Sequence, residues 1–424
     1  MSPVYTSLAL LITITAAFSY INCKYIHLPS TIGIMIMSLV CSMVLIALGN
    51  LFPELAEQAR VIMQNVRFGD LIMQSLLSFL LFAGAIQLDV RKLHRHRSVV
   101  ILLATIGVII SAAVIGAGIF FLFQVFNIHV PLIYCLMFGA LISPTDPIAV
   151  LGILGELGVP ESLEIKIAGE SMFNDGVGVV LFLILLQLDQ NGVETMKAGQ
   201  IAWIFLREAA GGWLWGLALG YGGVIVLKSI NNYKVETLIT LAIVMGGYLV
   251  SELLDVSGAL SMVVAGIIIG NKGMAISMSK TTRDYVSKFW ELIDEIMNAF
   301  LFLLIGFEML VLVLDWQLVG AALLCLPVVF LARWVSVIIP MYILTNKTTR
   351  EKGAIAVLTW GGLRGAVSVA LALSLPEGPG REKMVTITYV VVLFSIIVQG
   401  LSIGPLARRW MQPVTIDPSL PSGN

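Results

Sequence analysis

Residues 136–154 read LMFGALISPTDPIAVLGIL, an apolar stretch that two prolines interrupt. Pro144 and Pro147 flank Thr145 and Asp146, and each proline removes a backbone donor and disfavours helix just before it. A helix running through this stretch is therefore expected to open around Thr145 and Asp146, leaving free carbonyls and two half-helix ends. The alternative is a plain proline kink around a hydrogen-bonded Asp.

The composition places this break in a membrane. The chain has 424 residues, of which 58% are hydrophobic and 12% are charged, about half the charge of an ordinary soluble domain, and its mean hydropathy is +0.97. This balance predicts an all-α polytopic membrane protein whose partner is the lipid bilayer. A net charge of −1 gives no indication of a nucleic-acid partner. The four cysteines are isolated and are interpreted as packing residues.

The hydrophobic pattern predicts about 13 spanning helices, each needing about 20 mostly apolar residues. They form a single membrane unit over residues 1–409, followed by a short tail over 410–424. Residues 271–289 form the longest polar segment and are predicted to be a basic connection. The predicted helices are 3–22, 30–50, 69–89, 97–123, 131–153, 163–188, 205–228, 234–253, 256–270, 290–314, 316–344, 350–374 and 383–407.

Alternate connections between these helices differ in charge. Most of the 25 lysines and arginines fall on one side when the N-terminus is placed outside. Cytoplasmic connections carry the excess of positive residues. The pattern therefore predicts an external N-terminus and a cytoplasmic C-terminus.

A second interrupted helix is predicted at residues 354–373, AIAVLTWGGLRGAVSVALAL, where glycines surround Arg364. Glycine weakens a helix as proline does, although less strongly. Paired interrupted helices in two halves of a membrane protein indicate a transport site at the bilayer midplane. Glycines alone are weak evidence, because they are common where membrane helices pack closely.

Residues 169–178, GESMFNDGVG, place polar groups inside an otherwise apolar helix. Glu170 and Asn174 are four residues apart, as are Ser171 and Asp175, so each pair shares a helical surface. With Thr145-Asp146, this patch offers only oxygen ligands, which hard cations prefer. The absence of His and Cys from these stretches argues against zinc or copper.

Such a site is expected to exchange protons for cations. Burial disfavours a charged carboxylate, so a proton and a monovalent cation compete for the same group. Asn174 adds no charge and is interpreted as a neutral brace. The alternatives are a channel or ion-gated sensor built on the same site and, much less favoured, an intramembrane aspartyl enzyme.

Two arginines in predicted helices require partners. Arg333 and Arg364 keep their charge, and Glu170 is the natural counter-ion for one of them. A buried pair of this kind fixes helix positions more than it adds stability. Glu308 lies nearer a helix end, and a direct ion-binding role for it is less favoured.

Four motifs together resemble a known family. In order they are ISPTDPIAV (142–150), GESMFNDGVGVV (169–180), LARWVSV (331–337) and GGLRGAVSVAL (361–371). They are similar to those of the cation/proton antiporter-1 family, with NhaP-type bacterial sodium/proton antiporters the nearest resemblance.

The resemblance implies a fold and a setting. The fold would be NhaA-like, an inverted repeat with two crossed, unwound helices. A core domain (about 97–188 and 316–407) would move against a dimerisation domain (about 1–96 and 205–314) in elevator-type alternating access. The protein would be a homodimer in the bacterial inner membrane that serves pH homeostasis. It would not be an enzyme and would need no cofactor.

The resemblance also implies residue roles. Asp175 would be the carboxylate shared by proton and cation, and Asn174 its partner. Thr145, Asp146 and Ser171 would add ligand oxygens for Na⁺, and Li⁺ or K⁺ are alternative substrates. An Asn-Asp pair implies electroneutral one-for-one exchange.

The resemblance further implies that Glu170 pairs with Arg333 and that Arg364 stabilises the helix crossing. One position departs from the family pattern. Ala83, in LLFAGAIQLD (80–89), stands where relatives carry a glutamate. Cation selectivity is therefore left open, and Gln87 is a candidate neutral ligand one turn later.

Overall fold

The computed structural model describes residues 3–49, 54, 76–191, 198–311, 316–344, 353–376 and 379–411. The secondary structure of these residues is helical, apart from one isolated bridge between Asp146 and Leu363. Helices satisfy their own backbone hydrogen bonds, which a bilayer requires of any spanning segment. The all-α prediction is therefore confirmed for the described part of the chain.

Short π-helical segments are counted in the helix that they continue. The described helices are α1 Tyr5–Ile26, α2 Ser30–Leu48, α3 Leu77–Gln87, α4 Val90–Val125, α5 Leu132–Ile142, α6 Ile148–Glu156, α7 Glu161–Asn191, α8 Ala198–Lys228, α9 Tyr233–Leu253, α10 Gly258–Ser277, α11 Lys280–Glu308, α12 Trp316–Leu344, α13 Ala354–Trp360, α14 Ala366–Leu373 and α15 Gly380–Trp410. Within the described ranges, nine are long and apolar enough to span a membrane. The chain is thus a multi-pass membrane protein. The count of 13 spans stays a prediction, since the first part of predicted helix 69–89, residues 69–75, lies outside the described residues.

Two polar segments that the sequence pattern assigned to connections are helical. The basic residues 91–97 form the first turns of α4, which Asp89 caps by accepting a hydrogen bond from Arg91 N at 2.8 Å. Long basic side chains tolerate this position because their heads reach water while their stems cover apolar surface.

Most of the predicted connection 271–289 is likewise helical. The end of α10 covers its first part, and α11 already begins at Lys280, where Ser279 accepts a hydrogen bond from Thr282 N at 3.2 Å. Val286 and Trp290 on α11 are fully buried. An apolar stripe therefore runs down this polar helix and anchors it, which a count of hydrophobic residues misses.

The helices pack mainly within two groups. One group contains α1–α3 and α8–α11, with α3 against α10 and α11, and α2 against α11. The other contains α4–α7 and α12–α15, with α4 against α5 and α12, and α7 against α4 and α5. Contacts between the groups include those of α7 with α3, α8 and α10, of α11 with α14, and of α2 with α15. We refer to these as the α11 group and the α7 group.

Candidate ion-binding site

The helix α5 stops at Ile142, and α6 starts at Ile148. The five residues between them are not helical, as the two prolines predict. Asp146 Oδ1 accepts a hydrogen bond from Ile148 N at 2.9 Å, so its carboxylate caps the start of α6. Its other carboxylate oxygen is free of this cap and is available to a ligand.

A second break crosses the first. Helix α13 ends at Trp360 and α14 begins at Ala366, so the glycine-rich segment between them is also not helical. The two breaks meet where Asp146 N donates to Leu363 O at 2.8 Å. Gly365 permits this approach, because a Cβ there would lie 2.7 Å from both Cβ and Oδ2 of Asp146.

Arg364 occupies the crossing itself. Its Nη1 donates to the carbonyls of Ser143 and Pro144, at 2.5 and 3.1 Å. Its backbone N donates to Ser395 Oγ at 2.9 Å, on α15. The guanidinium therefore satisfies carbonyls that the break in α5–α6 leaves without helical partners.

The polar patch of α7 faces the same break. Asn174 Nδ2 donates to Thr145 Oγ1 at 2.9 Å, and Thr145 N donates to Asn174 Oδ1 at 3.4 Å. The hydroxyl groups of Thr145 and Ser171 lie 3.0 Å apart. All three side chains are buried. Asn174 thus joins α7 to the opened segment with both ends of its amide.

Four of the five predicted ion-binding residues line one cavity of about 390 Å³. They are Thr145, Asp146, Ser171 and Asp175; Asn174 is not a lining residue. Asp146 and Asp175 are partly exposed residues, whereas Thr145 and Ser171 are buried. The cavity lies between the two helix groups, with Leu77–Leu88 and Asp294–Leu301 on the opposite wall.

Glu170 lies outside this cavity, in a buried ion pair. Arg333 Nη1 contacts Glu170 Oε1, and Nη2 donates to Oε2 at 3.1 Å. Arg333 also donates twice to Leu358 O, from Nε at 3.2 Å and from Nη2 at 3.0 Å. The pair ties α7 to α12 and α13. Glu308 is buried at the end of α11 and is not among the residues that line the cavity.

The sequence interpretation missed two polar residues of the cavity. Asp294 and Asn298 lie on α11, in the α11 group, and both line the cavity. Asp294 falls within the predicted helix 290–314, and an acid inside a predicted spanning helix is the sequence signal that indicates it. Ala83 is fully buried and is not a lining residue, whereas Gly84 and Gln87 on the same helix are.

The lining has a single sign of charge. Asp146, Asp175 and Asp294 are its ionisable residues, and no Lys, Arg, His or Cys is among the described residues that line it. The described part of the chain also holds no group of three or more His, Cys, Asp or Glu that fits a metal ion. Carboxylate, hydroxyl and amide oxygens suit a hard cation.

Two crossed interrupted helices beside an acidic cavity, in a multi-pass membrane protein, define a membrane transport protein. Comparison with known proteins gives the family: the profile of the sodium/hydrogen exchanger transmembrane family matches residues 10–409. The chain belongs to this family, as an NhaP-type member of the cation/proton antiporter-1 group, and is therefore a transporter rather than an enzyme.

Individual relatives agree with this assignment. The chain is 47% identical to the Na⁺/H⁺ antiporter NhaP of Pseudomonas aeruginosa over 95% of this chain and 96% of that one. It is 34% identical to the Na⁺/H⁺ antiporter NhaH of Halobacillus dabanensis over 96% of this chain and 98% of that one. The sodium proton antiporter MjNhaP1 of Methanocaldococcus jannaschii, solved at pH 8, has a similar fold, with a TM-score of 0.73 at 20% identity, covering 96% of this chain and 98% of that one.

Proposed function

We propose that the protein exchanges sodium for protons across the membrane by secondary active antiport. The observation that carries this proposal is the pairing of Asp146 and Asp175 in a cavity with no cationic side chain among its described lining residues. A membrane protein keeps such carboxylates unpaired at a cost, which a bound cation or proton offsets. The names of the relatives, all Na⁺/H⁺ antiporters, agree with it.

The shared carrier is Asp175. Its carboxylate faces the cavity on a continuous helix, while Asp146 caps α6 and Thr145 and Ser171 supply hydroxyl oxygens. Na⁺ binds to the deprotonated carboxylate together with these oxygens, and a proton displaces it. Binding of one excludes the other, which is sufficient for coupled exchange.

One-for-one, electroneutral exchange follows from Asn174. Both ends of its amide are engaged with Thr145, and an amide carries no titrating proton. With Asp146 held at the start of α6, Asp175 is the one carboxylate that gains and loses a proton in each cycle. The neutral amide holds the opened segment in place in both states.

Alternating access is of the elevator type in this proposal. The α7 group carries the ion ligands, and the α11 group supplies the opposite wall. Sliding one group against the other would expose the cavity to each side in turn. In this proposal the crossed helices follow the NhaA-like inverted-repeat plan, and the dimerisation domain comprises about 1–96 and 205–314.

The cavity is open toward the cytoplasm in this arrangement. Its lining includes Gln87, Leu151 and Ala168, which lie toward the helix ends that the charge pattern places inside. We place the N-terminus outside and the C-terminus in the cytoplasm, in a bacterial inner membrane. Li⁺ and K⁺ are further candidate substrates.

The test is exchange in proteoliposomes with an interior pH dye. Collapse of the pH gradient on adding Na⁺, lost in Asp175→Asn and retained in Asp189→Asn on the same helix, is expected. Asp189 is the matched control because it is not a lining residue of the cavity. Sodium flux without proton movement would indicate a channel instead, and exchange that survives in Asp175→Asn would overturn the carrier assignment.

A further inference from the structure

Helix α11 presents an acid and an amide to the cavity on one helical face. Asp294 and Asn298 are four residues apart and both line the cavity. Asn298 Nδ2 donates to Asp294 O at 2.8 Å and to Asp294 Oδ1 at 3.1 Å. These two hydrogen bonds hold the amide beside Asp294 through its nitrogen and leave its oxygen without a partner.

The amide oxygen of Asn298 has no protein partner. Asn298 is only 2% exposed, and its Oδ1 is buried without a hydrogen bond. A buried acceptor left in this state costs free energy. Because it lies beside a carboxylate with no basic side chain among the described lining residues, the group that would satisfy it is a cation or a cation-bound water.

This pair lies on the wall opposite the ion site of α7. Asp146 and Asp175 belong to the α7 group, whereas Asp294 and Asn298 belong to the α11 group. Helix α3, on the same wall, contributes no acid: its sequence is LSFLLFAGAIQ, with Ala83 buried. Among the described lining residues of this wall, Asp294 is the carboxylate.

We propose that Asp294 and Asn298 form a second monovalent-cation site, which captures hydrated Na⁺ at the cavity wall before it reaches Asp175. The inference rests on the antiport proposed above. Two oxygens on a wall do not replace the whole hydration shell, so the captured ion keeps water. The negative charge of Asp294 concentrates cations in a narrow apolar cleft, where such fields raise association rates by about tenfold or more.

The experiment measures exchange against sodium concentration in proteoliposomes, with choline keeping the ionic strength constant. Asp294→Asn keeps the size of the side chain and an oxygen for Asn298, and removes the charge. We expect its apparent KM for Na⁺ to rise by about tenfold with Vmax within about twofold of wild type. Asn298→Leu should shift KM in the same direction. Glu295→Gln is the matched control: it removes a neighbouring, exposed charge that does not line the cavity.

A second measurement separates this site from Asp175. In an Asp175→Asn background, Na⁺ should still raise the melting temperature of the purified protein, because a ligand stabilises the folded state that binds it. Adding Asp294→Asn should abolish that rise. If wild type exchanges no cation, the antiport proposal fails, and this measurement still decides whether the wall site exists.

Three results would overturn the inference. One is an apparent KM in Asp294→Asn equal to that in Glu295→Gln, with normal exchange by the wild type; the antiport proposal would then stand. Another is a lost Vmax with unchanged KM, which would make Asp294 part of the transport step rather than a capture site. The third is a sodium-dependent rise in melting temperature that persists in the double variant Asp175→Asn, Asp294→Asn.

Discussion

The buried pair of Glu170 and Arg333 allows a quantitative test of what fixes the α7 group. The two residues are 1% and 6% exposed, and the guanidinium also donates twice to Leu358 O. Removing one partner of such a pair typically costs about 3–5 kcal/mol, because the other charge is stranded in the interior. We expect Glu170→Gln to lower the free energy of unfolding by this amount.

The reciprocal change should cost less. Arg333→Met strands a carboxyl group, which a proton can neutralise, whereas the guanidinium left by Glu170→Gln keeps its charge. In the double variant neither charge remains. Its loss of unfolding free energy should therefore be smaller than the sum of the losses in the two single variants, by about 2 kcal/mol or more. Replacement of a buried ion pair by apolar groups is often close to neutral.

The assay is reversible unfolding of the purified protein by SDS in mixed micelles, followed by circular dichroism. Glu161→Gln serves as the control, since it removes an exposed ion pair with Lys92 and should leave the unfolding free energy unchanged. Additive losses in the double variant would refute the reasoning. So would a Glu170→Gln protein of normal stability with an altered apparent KM for Na⁺, because Glu170 would then be a ligand.

Three further predictions concern the crossing and the carrier. Gly365→Ala should lower the exchange rate in proteoliposomes by about tenfold or more, because the new Cβ displaces Asp146. Gly152→Ala is the control: a Cβ there has no atom within 4 Å, so the rate should not change. Arg364→Lys should lower the free energy of unfolding by about 1.5–3 kcal/mol, because one ammonium group cannot replace both hydrogen bonds of the charged guanidinium. SDS titration measures this loss, and unchanged stability would show that water satisfies the freed carbonyls. The apparent KM for Na⁺ should rise as pH falls, by up to about tenfold per pH unit once protons occupy Asp175. Exchange kinetics at three or more pH values measure this, and a KM that does not change with pH would contradict competition at Asp175.

The positions of the two helix breaks could be predicted because their causes are local. Proline removes a backbone donor and glycine weakens a helix, whatever the surrounding fold. Helix α5 ends at Ile142 and α13 ends at Trp360, each directly before the residues that the sequence singled out. The four-residue spacing in α7 is equally local and places Ser171 and Asp175 in the cavity.

The opposite wall could not be predicted in the same way. Asp294 lies 119 positions from Asp175, and although it falls within the predicted helix 290–314, no local pattern pairs it with the polar patch of α7. Tertiary packing, not composition, brings Asn298 to the cavity and leaves its oxygen without a partner. The substitution at Ala83 suggested a missing ligand on α3, but not which helix carries the acid of that wall.

The bridge between Asn174 and Thr145 connects local sequence to the proposed coupling. An opened helix in a bilayer tends to recover its lost hydrogen bonds. Arg364 accepts no proton and donates to two carbonyls at the break in α5–α6, and Asn174 Oδ1 accepts from Thr145 N, so neither adds a titrating group. The segment is thereby held open whether or not Asp175 carries a proton. An aspartate in place of Asn174 would tie the shape of the break to a second protonation state. In the proposed exchange, a neutral brace keeps the geometry of the ion ligands independent of the proton.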